Sequence, residues 1–418
     1  TASTAYISNA WTVDAITDVG TNTIEDEAPD VTTTISISGI GVFHHGTFVD
    51  GGNPYGHADI TAAATAGYFY SDTAPGTYDL GTLDETPTFV QETAAGGDGY
   101  GKTTYKFTTR DLTSVDHLLV AGGGGGGSDM GGGGGAGGYL ETTGTTISAG
   151  QKEIVVGGGG IGGSYTSSSS YRSRGRKGAD TSVTGLTTAI GGGGGATGHN
   201  NSDDIPGGNG GSGGGASGAR GAGGQYGEIF GTGTEGQGYD GADSGGIWYP
   251  AGGGGASEKG YGRSGSGGNN HQPHGGDGKQ STITGFTSYY FAGGGGGNGH
   301  SSNGGNGGKG GGGGGSSGHT HGTGDTNGLT NGGNGDGGTN SDSQEPPSNR
   351  AGGDGGKHTG GGGGGASHHY NTWGGNGGSG IVIIKANAPK TVTVSGIPGS
   401  TAVADPEPVA DAPSVTLD

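Results

Sequence analysis

The residues Leu118-Leu119-Val120-Ala121 run directly into six consecutive glycines, Gly122–Gly127, and this junction is the most informative feature of the sequence. A short apolar run of this kind is consistent with a strand. Six glycines are more than a turn requires, so the run needs another structural explanation. We expect the apolar residues to form either a short strand or an apolar border along the edge of a structure built from glycine.

The same junction recurs along the chain without a fixed period, which indicates a repeated architecture rather than a repeated sequence. Polar segments of variable length follow many of the runs. The other apolar approaches are Ile154-Val155-Val156, Thr188-Ala189-Ile190, Ile247-Trp248-Tyr249-Pro250-Ala251 and Tyr289-Tyr290-Phe291-Ala292.

Glycine is concentrated in the middle of the chain. Of the 118 glycines in 418 residues, 14 lie in residues 1–120, 102 in residues 121–380 and 2 in residues 381–418. This distribution predicts three regions: a β-rich assembly domain over 1–116, a glycine-rich domain over 117–385, and a C-terminal strand with a Pro-rich tail over 386–418.

The outer regions have the alternation of polar and apolar residues that is typical of strands. Thr32–Ser38 and Thr103–Thr109 alternate, and Ile381–Ile384 is an apolar strand candidate. The predicted fold class is mainly β plus irregular structure: an N-terminal antiparallel β domain followed by packed polyglycine II helices that display loops.

Packed helices of this type explain how so much glycine can be ordered. An extended left-handed helix with about three residues per turn and about 3.1 Å rise points its N–H and C=O groups outward to neighbouring helices. Six residues then span about 19 Å. Backbone hydrogen bonds and Cα–H···O contacts would hold the helices together, and any Cβ pointing into the lattice would clash.

These strings, and the closing sequence Gly377-Gly378-Ser379-Gly380-Ile381-Val382-Ile383-Ile384, resemble the glycine-rich domain of phage tail-fibre and receptor-binding proteins, including the T-even-type tail-tip adhesins. The resemblance covers about residues 117–385. It implies a sandwich of polyglycine helices whose variable loops touch the host. Residues 1–116 and 386–418 resemble no family in the same way.

Composition and motifs exclude several function classes. A formal charge of −20 argues against binding of nucleic acid or an anionic membrane, and no apolar stretch approaches the roughly 20 residues of a membrane span. There is no Cys, hence no disulfide and no thiolate metal site. The chain has no nucleophile elbow, His-Glu-x-x-His or phosphate-loop motif, so we do not expect an enzyme.

Two groups of residues are candidates for receptor contact. Arg172, Arg174, Arg176 and Lys177 form a basic cluster in an acidic chain, and guanidinium groups bind phosphate or acidic glycans bidentately. The alternative is a solvated loop or a salt bridge to a neighbouring subunit. Tyr370 and Trp373 could stack on sugars, or they could cap the lattice edge.

The sequence Gly318-His319-Thr320-His321-Gly322 resembles the G-x-H-x-H type of motif at the tips of trimeric long tail fibres, where imidazoles hold an iron ion. The resemblance implies iron or another divalent metal at His319 and His321. Two departures favour a solvated polar loop without a cofactor: the motif occurs once, and Ser317 stands where the motif has glycine.

Two functions follow. The first is a virion fibre or tail-tip adhesin whose rigid platform displays loops for host-surface recognition. The alternative is a secreted filament or matrix protein that assembles through its terminal β segments, for example by donating residues 381–396 to a neighbour; ice binding is a weaker third. The expected partners are other virion or filament subunits, including identical copies in a homo-oligomer, and a host glycan or outer-membrane protein. The expected location is the virion surface or the extracellular space.

Overall fold

The structure is a computed structural model that contains strands and irregular segments, with no helix among the residues it describes. No described segment could therefore cross a bilayer as a helix. The described residues are 31–45, 81–84, 88–90, 101–165, 173–198, 205–218, 230–244, 249–262, 272–283, 288–299, 303–317, 320–335, 351–368, 372–395 and 414–417.

Two five-stranded antiparallel sheets pack against each other at one end of the described structure. The strands are β1 (Val31–His44), β2 (Gly81–Leu83), β3 (Thr88–Val90), β4 (Lys102–Thr109), β5 (Leu112–Val120), β6 (Tyr139–Ile147), β7 (Gly150–Gly157), β8 (Ser164–Tyr165), β9 (Ser182–Val183), β10 (Lys279–Ser281), β11 (Tyr289–Phe291), β12 (Thr372–Trp373), β13 (Ile381–Ser395) and β14 (Ser414–Leu417).

The first sheet has the strand order β1-β13-β5-β6, with β14 also paired to β13. The second sheet has the order β2-β4-β7-β9, with β3 also paired to β4. Two short pairs, β10 with β11 and β12 with β8, lie outside the two sheets.

The space between the two sheets is filled by alternate residues of their strands. In β4, buried and half-buried residues alternate, which places Tyr105 and Phe107 inward. Both rings meet Phe43 edge to face, with centroid distances of 5.2 Å and 5.6 Å. The predicted antiparallel β structure is confirmed, and its core is an aromatic and aliphatic sandwich interior.

The adjoining ends of β5 and β13, Leu118–Val120 and Ile381–Ile384, are buried on both faces. Leu119 and Val382 point into the sandwich, whereas Leu118 and Ile383 join a second apolar cluster that includes Phe291. This double burial explains why these two stretches are continuous apolar runs. The predicted boundary between residues 116 and 117 lies inside β5, which carries the chain from the sandwich into the glycine-rich part.

Paired strands continue without a break into paired glycine segments. The β5–β13 ladder ends at Val120 opposite Ile381, and three residues beyond the end of β5 the Gly123 N–H donates to the Gly378 carbonyl at 2.9 Å. The strands therefore set the starting positions of the glycine segments.

Hydrogen bonds within the glycine region follow a period of three. In the segment 121–127, Gly122 and Gly125 donate to residues 179 and 176, and Gly123 and Gly126 donate to residues 378 and 375. Ala121, Gly124 and Gly127 donate to residues 138, 135 and 132. Every third N–H therefore donates a hydrogen bond to the same neighbouring segment, and that segment runs in the opposite direction.

The carbonyls of the same segment bind three further neighbours. Gly122 and Gly125 accept from residues 192 and 195, Gly123 and Gly126 accept from residues 160 and 163, and Gly124 and Gly127 accept from residues 363 and 366. Segment 121–127 thus has six hydrogen-bonded neighbours around it. A pleated sheet strand has two, so the glycine region is not a conventional sheet.

The described segments alternate in direction between the sandwich and an opposite end, which we call the loop end. Segment 121–127 leaves the sandwich, reverses at Ser128–Met130, and returns as 131–138. Nine stretches outside the described residues are flanked by residues that lie at this same end. They are 166–172, 199–204, 219–229, 245–248, 263–271, 300–302, 318–319, 336–350 and 369–371.

Candidate functional site

At the loop end, hydroxyl side chains and one buried carboxylate link the ends of the glycine segments through hydrogen bonds. The Ser128 hydroxyl donates to the carbonyl of Ser173 at 2.8 Å, and Oδ1 of Asp129 lies 2.7 Å from Nδ1 of His368. Asp129 is fully buried, whereas His368 is partly exposed. These contacts fix the backbone from which the connecting stretches depart.

Three of the six predicted receptor-contact residues lie on one segment, 173–180, which returns from the loop end. Arg174 is exposed, and Arg176 and Lys177 are half-buried. The N–H groups of Gly175 and Gly178 donate to residues 195 and 192 within the lattice. Arg174 and Lys177 are three residues apart, so the threefold hydrogen-bond period places them on the same row of this segment.

A cavity of about 480 Å³ opens beside that row. Arg174 and Lys177 line it together with Phe230 and Asn209; Gly194, Pro206, Gly207 and Gly208 complete the lining. Nη1 of Arg174 donates to the Pro206 carbonyl at 3.3 Å. Nζ of Lys177 lies 3.6 Å from Asp180, and because both side chains are substantially exposed, this pair holds the ammonium weakly.

Phe230 gives the cavity an aromatic wall. Its ring packs against a small cluster of buried alanines, and Nζ of Lys259 lies 4.5 Å from the ring centroid. Lys259 does not itself line the cavity, but it places a third cation on the ring that forms this wall. Sequence reasoning did not assign Phe230 or Asn209 to the cationic cluster, because more than 30 residues separate them from Lys177.

The Gly194 backbone also contributes a polar group. Gly191 and Thr197 lie three residues before and three residues after Gly194. The Gly191 N–H donates to Asp180 Oδ1 at 2.7 Å, and the Thr197 N–H donates to the Ile205 carbonyl at 3.1 Å. Within the described part of the chain, the Gly194 N–H has no acceptor. A Cβ at Gly208 would lie 3.1 Å from this nitrogen, so the absence of a side chain there leaves the N–H accessible.

Trp373 is connected by hydrogen bonds, through β8, to the segment 173–180 that carries Arg174. It pairs with Ser164 in the β12–β8 ladder, and the Ser164 carbonyl accepts from the Ser173 N–H at 3.0 Å. Its side chain is 47% exposed, among the highest values for a large apolar residue in the described regions. β8 thus lies between the exposed Trp373 and the segment that carries Arg174.

The remaining predicted residues are only partly accounted for. Arg172, Tyr370 and His319 lie outside the described residues. His321 is half-buried, and no group of three or more metal-ligating side chains occurs within the described ranges. Metal binding at His319 and His321 stays a prediction.

Comparison with curated proteins found no match. The sequence profile of a glycine-rich domain matches residues 100–357, which is more than half of the chain and includes β5, the basic cavity and most of the glycine segments. The chain therefore belongs to the glycine-rich domain family.

Proposed function

We propose that the glycine segments are polyglycine II helices and that they form a rigid platform for an adhesin. A period of three residues matches the three residues per turn of this helix. Six hydrogen-bonded neighbours around segment 121–127 are what hexagonal packing of such helices would give. Both observations support the polyglycine helix over an extended coil or a pleated strand.

The platform holds the flanks of its connecting stretches at one end, and this arrangement carries the functional proposal. The flanks of nine connecting stretches lie at the loop end, opposite the β sandwich. A scaffold that holds loops side by side lowers the entropy that each loses on binding, and several weak contacts then add through multivalency. The proposed role is recognition of a host surface by a virion fibre or tail tip, without enzymatic activity.

The proposed partners follow from that role. Subunits of a virion would hold the sandwich end, and a host glycan or outer-membrane protein would meet the loop end. The protein would act at the virion surface, in a homo-oligomer that multiplies weak contacts. None of these roles requires a cofactor.

Exchange of connecting stretches tests the proposal. Replacing 336–350 by a Gly-Ser linker should abolish or redirect binding of the labelled protein to susceptible bacterial cells. The matched control replaces 284–287, which joins β10 to β11 at the sandwich end. Equal loss of binding in both variants, or no loss in either, would count against display at the loop end.

A second function, assembly into an extracellular filament, is favoured by one observation. β13 is paired on both sides within the chain, by β1 on one side and by β5 and β14 on the other. β1, by contrast, pairs only with β13 among the described residues, and its 14 residues contain no Lys, Arg, Asp, Glu or Pro. Natural edge strands usually carry such protective residues, so β1 could accept a strand from another copy. Long unbranched polymers in negative-stain images would favour the filament, whereas monomers or closed oligomers would oppose it.

A further inference from the structure

The geometry points to the cavity beside Arg174 and Lys177 as a subsite for an oxyanion carried on a sugar, either a phosphate or a carboxylate. This inference rests on the proposed function, because it names the class of host-surface ligand that the adhesin would take.

The donors around the cavity are arranged for one negatively charged group. Arg174 provides a planar guanidinium, Lys177 an ammonium, and Gly194 a backbone N–H without an acceptor among the described residues. Phosphate and carboxylate oxygens accept from all three kinds of donor, and charge-assisted bonds of this type are the strong ones.

The existing partners of the two cations do not compete strongly. Among the described residues, Arg174 uses one nitrogen for a neutral carbonyl at 3.3 Å, and the rest of its guanidinium is available to a ligand. Lys177 shares an exposed, weak ion pair with Asp180 at 3.6 Å. An incoming oxyanion can therefore replace or join these contacts without leaving a buried group unpaired.

The shape of the cavity fits a sugar better than a free ion. About 480 Å³ is far larger than a phosphate group needs, and the wall formed by Phe230 offers an apolar surface for the C–H face of a sugar ring. Asn209 is exposed at the rim, and its Oδ1 accepts from the Thr232 N–H at 2.8 Å, which leaves its amide N–H₂ available for a sugar hydroxyl.

The negative charge of the chain favours binding of an anion at this cavity over the rest of the protein surface. The chain has a formal charge of −20, so an anionic glycan is repelled from most of its surface. Arg174, Lys177 and Lys259 make the region around this cavity a local exception.

The test measures binding of glucose 1-phosphate and glucuronate to the full chain by ligand-observed NMR, with glucose as the neutral probe. We expect one or both anionic probes to bind more tightly than glucose. A preference between them distinguishes a phosphorylated from a carboxylated source. K177Q and R174Q should each weaken binding of the preferred probe about tenfold, and K357Q, which removes an exposed lysine elsewhere, should leave it unchanged.

G208A provides a second variant that removes no charge. Its added methyl would lie 3.1 Å from the Gly194 nitrogen and should weaken binding of the anion by obstructing that donor. Thermal unfolding measured in parallel shows whether each variant is folded. Equal binding of glucose and both anions, or binding that K177Q, R174Q and G208A leave intact in folded protein, would overturn the subsite.

Failure of the subsite is distinguishable from failure of the adhesin proposal. If the protein binds host cells and K177Q does not change that binding, the subsite is wrong and the adhesin role stands. If the protein binds the anionic probes through Arg174 and Lys177 but binds no cells, the subsite stands and the adhesin role is wrong.

Discussion

A Cβ built on Gly126 would lie 1.9 Å from the carbonyl oxygen of Gly364. Two lattice segments approach each other so closely there that only hydrogen fits between them. A Cβ built on Gly124, Gly133 or Gly253 would lie 2.0–2.1 Å from another backbone oxygen. The glycines are therefore required by the spacing of neighbouring backbones, and not by flexibility.

Gly126→Ala should destabilise the protein by about 3 kcal/mol or more, because the obstructing atom is backbone and cannot rotate away. Gly208→Ala is the matched control: its methyl would be 3.1 Å from the nearest atom, and the loss of chain entropy in the unfolded state partly offsets that crowding. We expect Gly208→Ala to change stability by less than about 1 kcal/mol. Thermal and denaturant unfolding of the two variants check this, and equal stability would contradict close packing of the segments.

Asp325 fixes a tight reversal between two lattice segments. Its Oδ2 accepts from the N–H groups of Gly310 and Gly311, at 2.8 Å and 3.0 Å, and both glycines have left-handed φ. Asp325→Ala removes the acceptor that both N–H groups share, at a buried position, and should cost about 1–3 kcal/mol of stability. Glu235→Ala, at an exposed turn, should be nearly neutral. Similar unfolding midpoints for the two variants would show that the carboxylate is dispensable.

His45 makes stability depend on pH. Burial lowers the pKa of its imidazole from 6.5 to about 4, and its Nδ1 lies 3.1 Å from the Thr103 hydroxyl. Since the folded state binds the proton less readily than the unfolded state, this contribution is complete above pH 6.5 and is lost as the pH falls towards 4. Burial lowers the pKa of His117 and His274 in the same direction.

We therefore expect the free energy of unfolding to fall between pH 6.5 and pH 4, and His45→Gln to reduce that slope. Urea titrations at several pH values measure both. A slope unchanged by the substitution would mean that His45 is not the group responsible, and a rise in stability on acidification would contradict the sign.

The sequence predicted strands within β1, β4 and the start of β13, and the importance of the glycine runs, since alternation in β4 and the apolar junction at Val120 are local signals. It did not predict that β13 would pair with both β1 and β5. Those pairings join residues more than 250 positions apart, and strand partners depend on register and packing rather than on local pattern.

The candidate site was predicted in the same incomplete way. A run of basic residues identified Arg174 and Lys177, because charge is visible in sequence. The contribution of Gly194 and Phe230 depends on which segments the lattice brings side by side. The sequence around each of these two residues does not indicate that contribution. The three-residue spacing of Arg174 and Lys177 is a signal that could have shown that they share a row.

Trp373 is the last test of function at the loop end. Its side chain is 47% exposed, and large exposed aromatic residues are frequent centres of binding energy. Trp373→Ala should cost no more than about 1–2 kcal/mol of stability, because about half of the residue is exposed. It should weaken binding to susceptible cells about tenfold if the ring contacts the receptor. Tyr239→Ala is the matched control, with a side chain 50% exposed and a backbone N–H that bonds to Gly255, towards the sandwich. Equal effects of the two variants on cell binding would show that exposure, rather than position at the loop end, governs the contact.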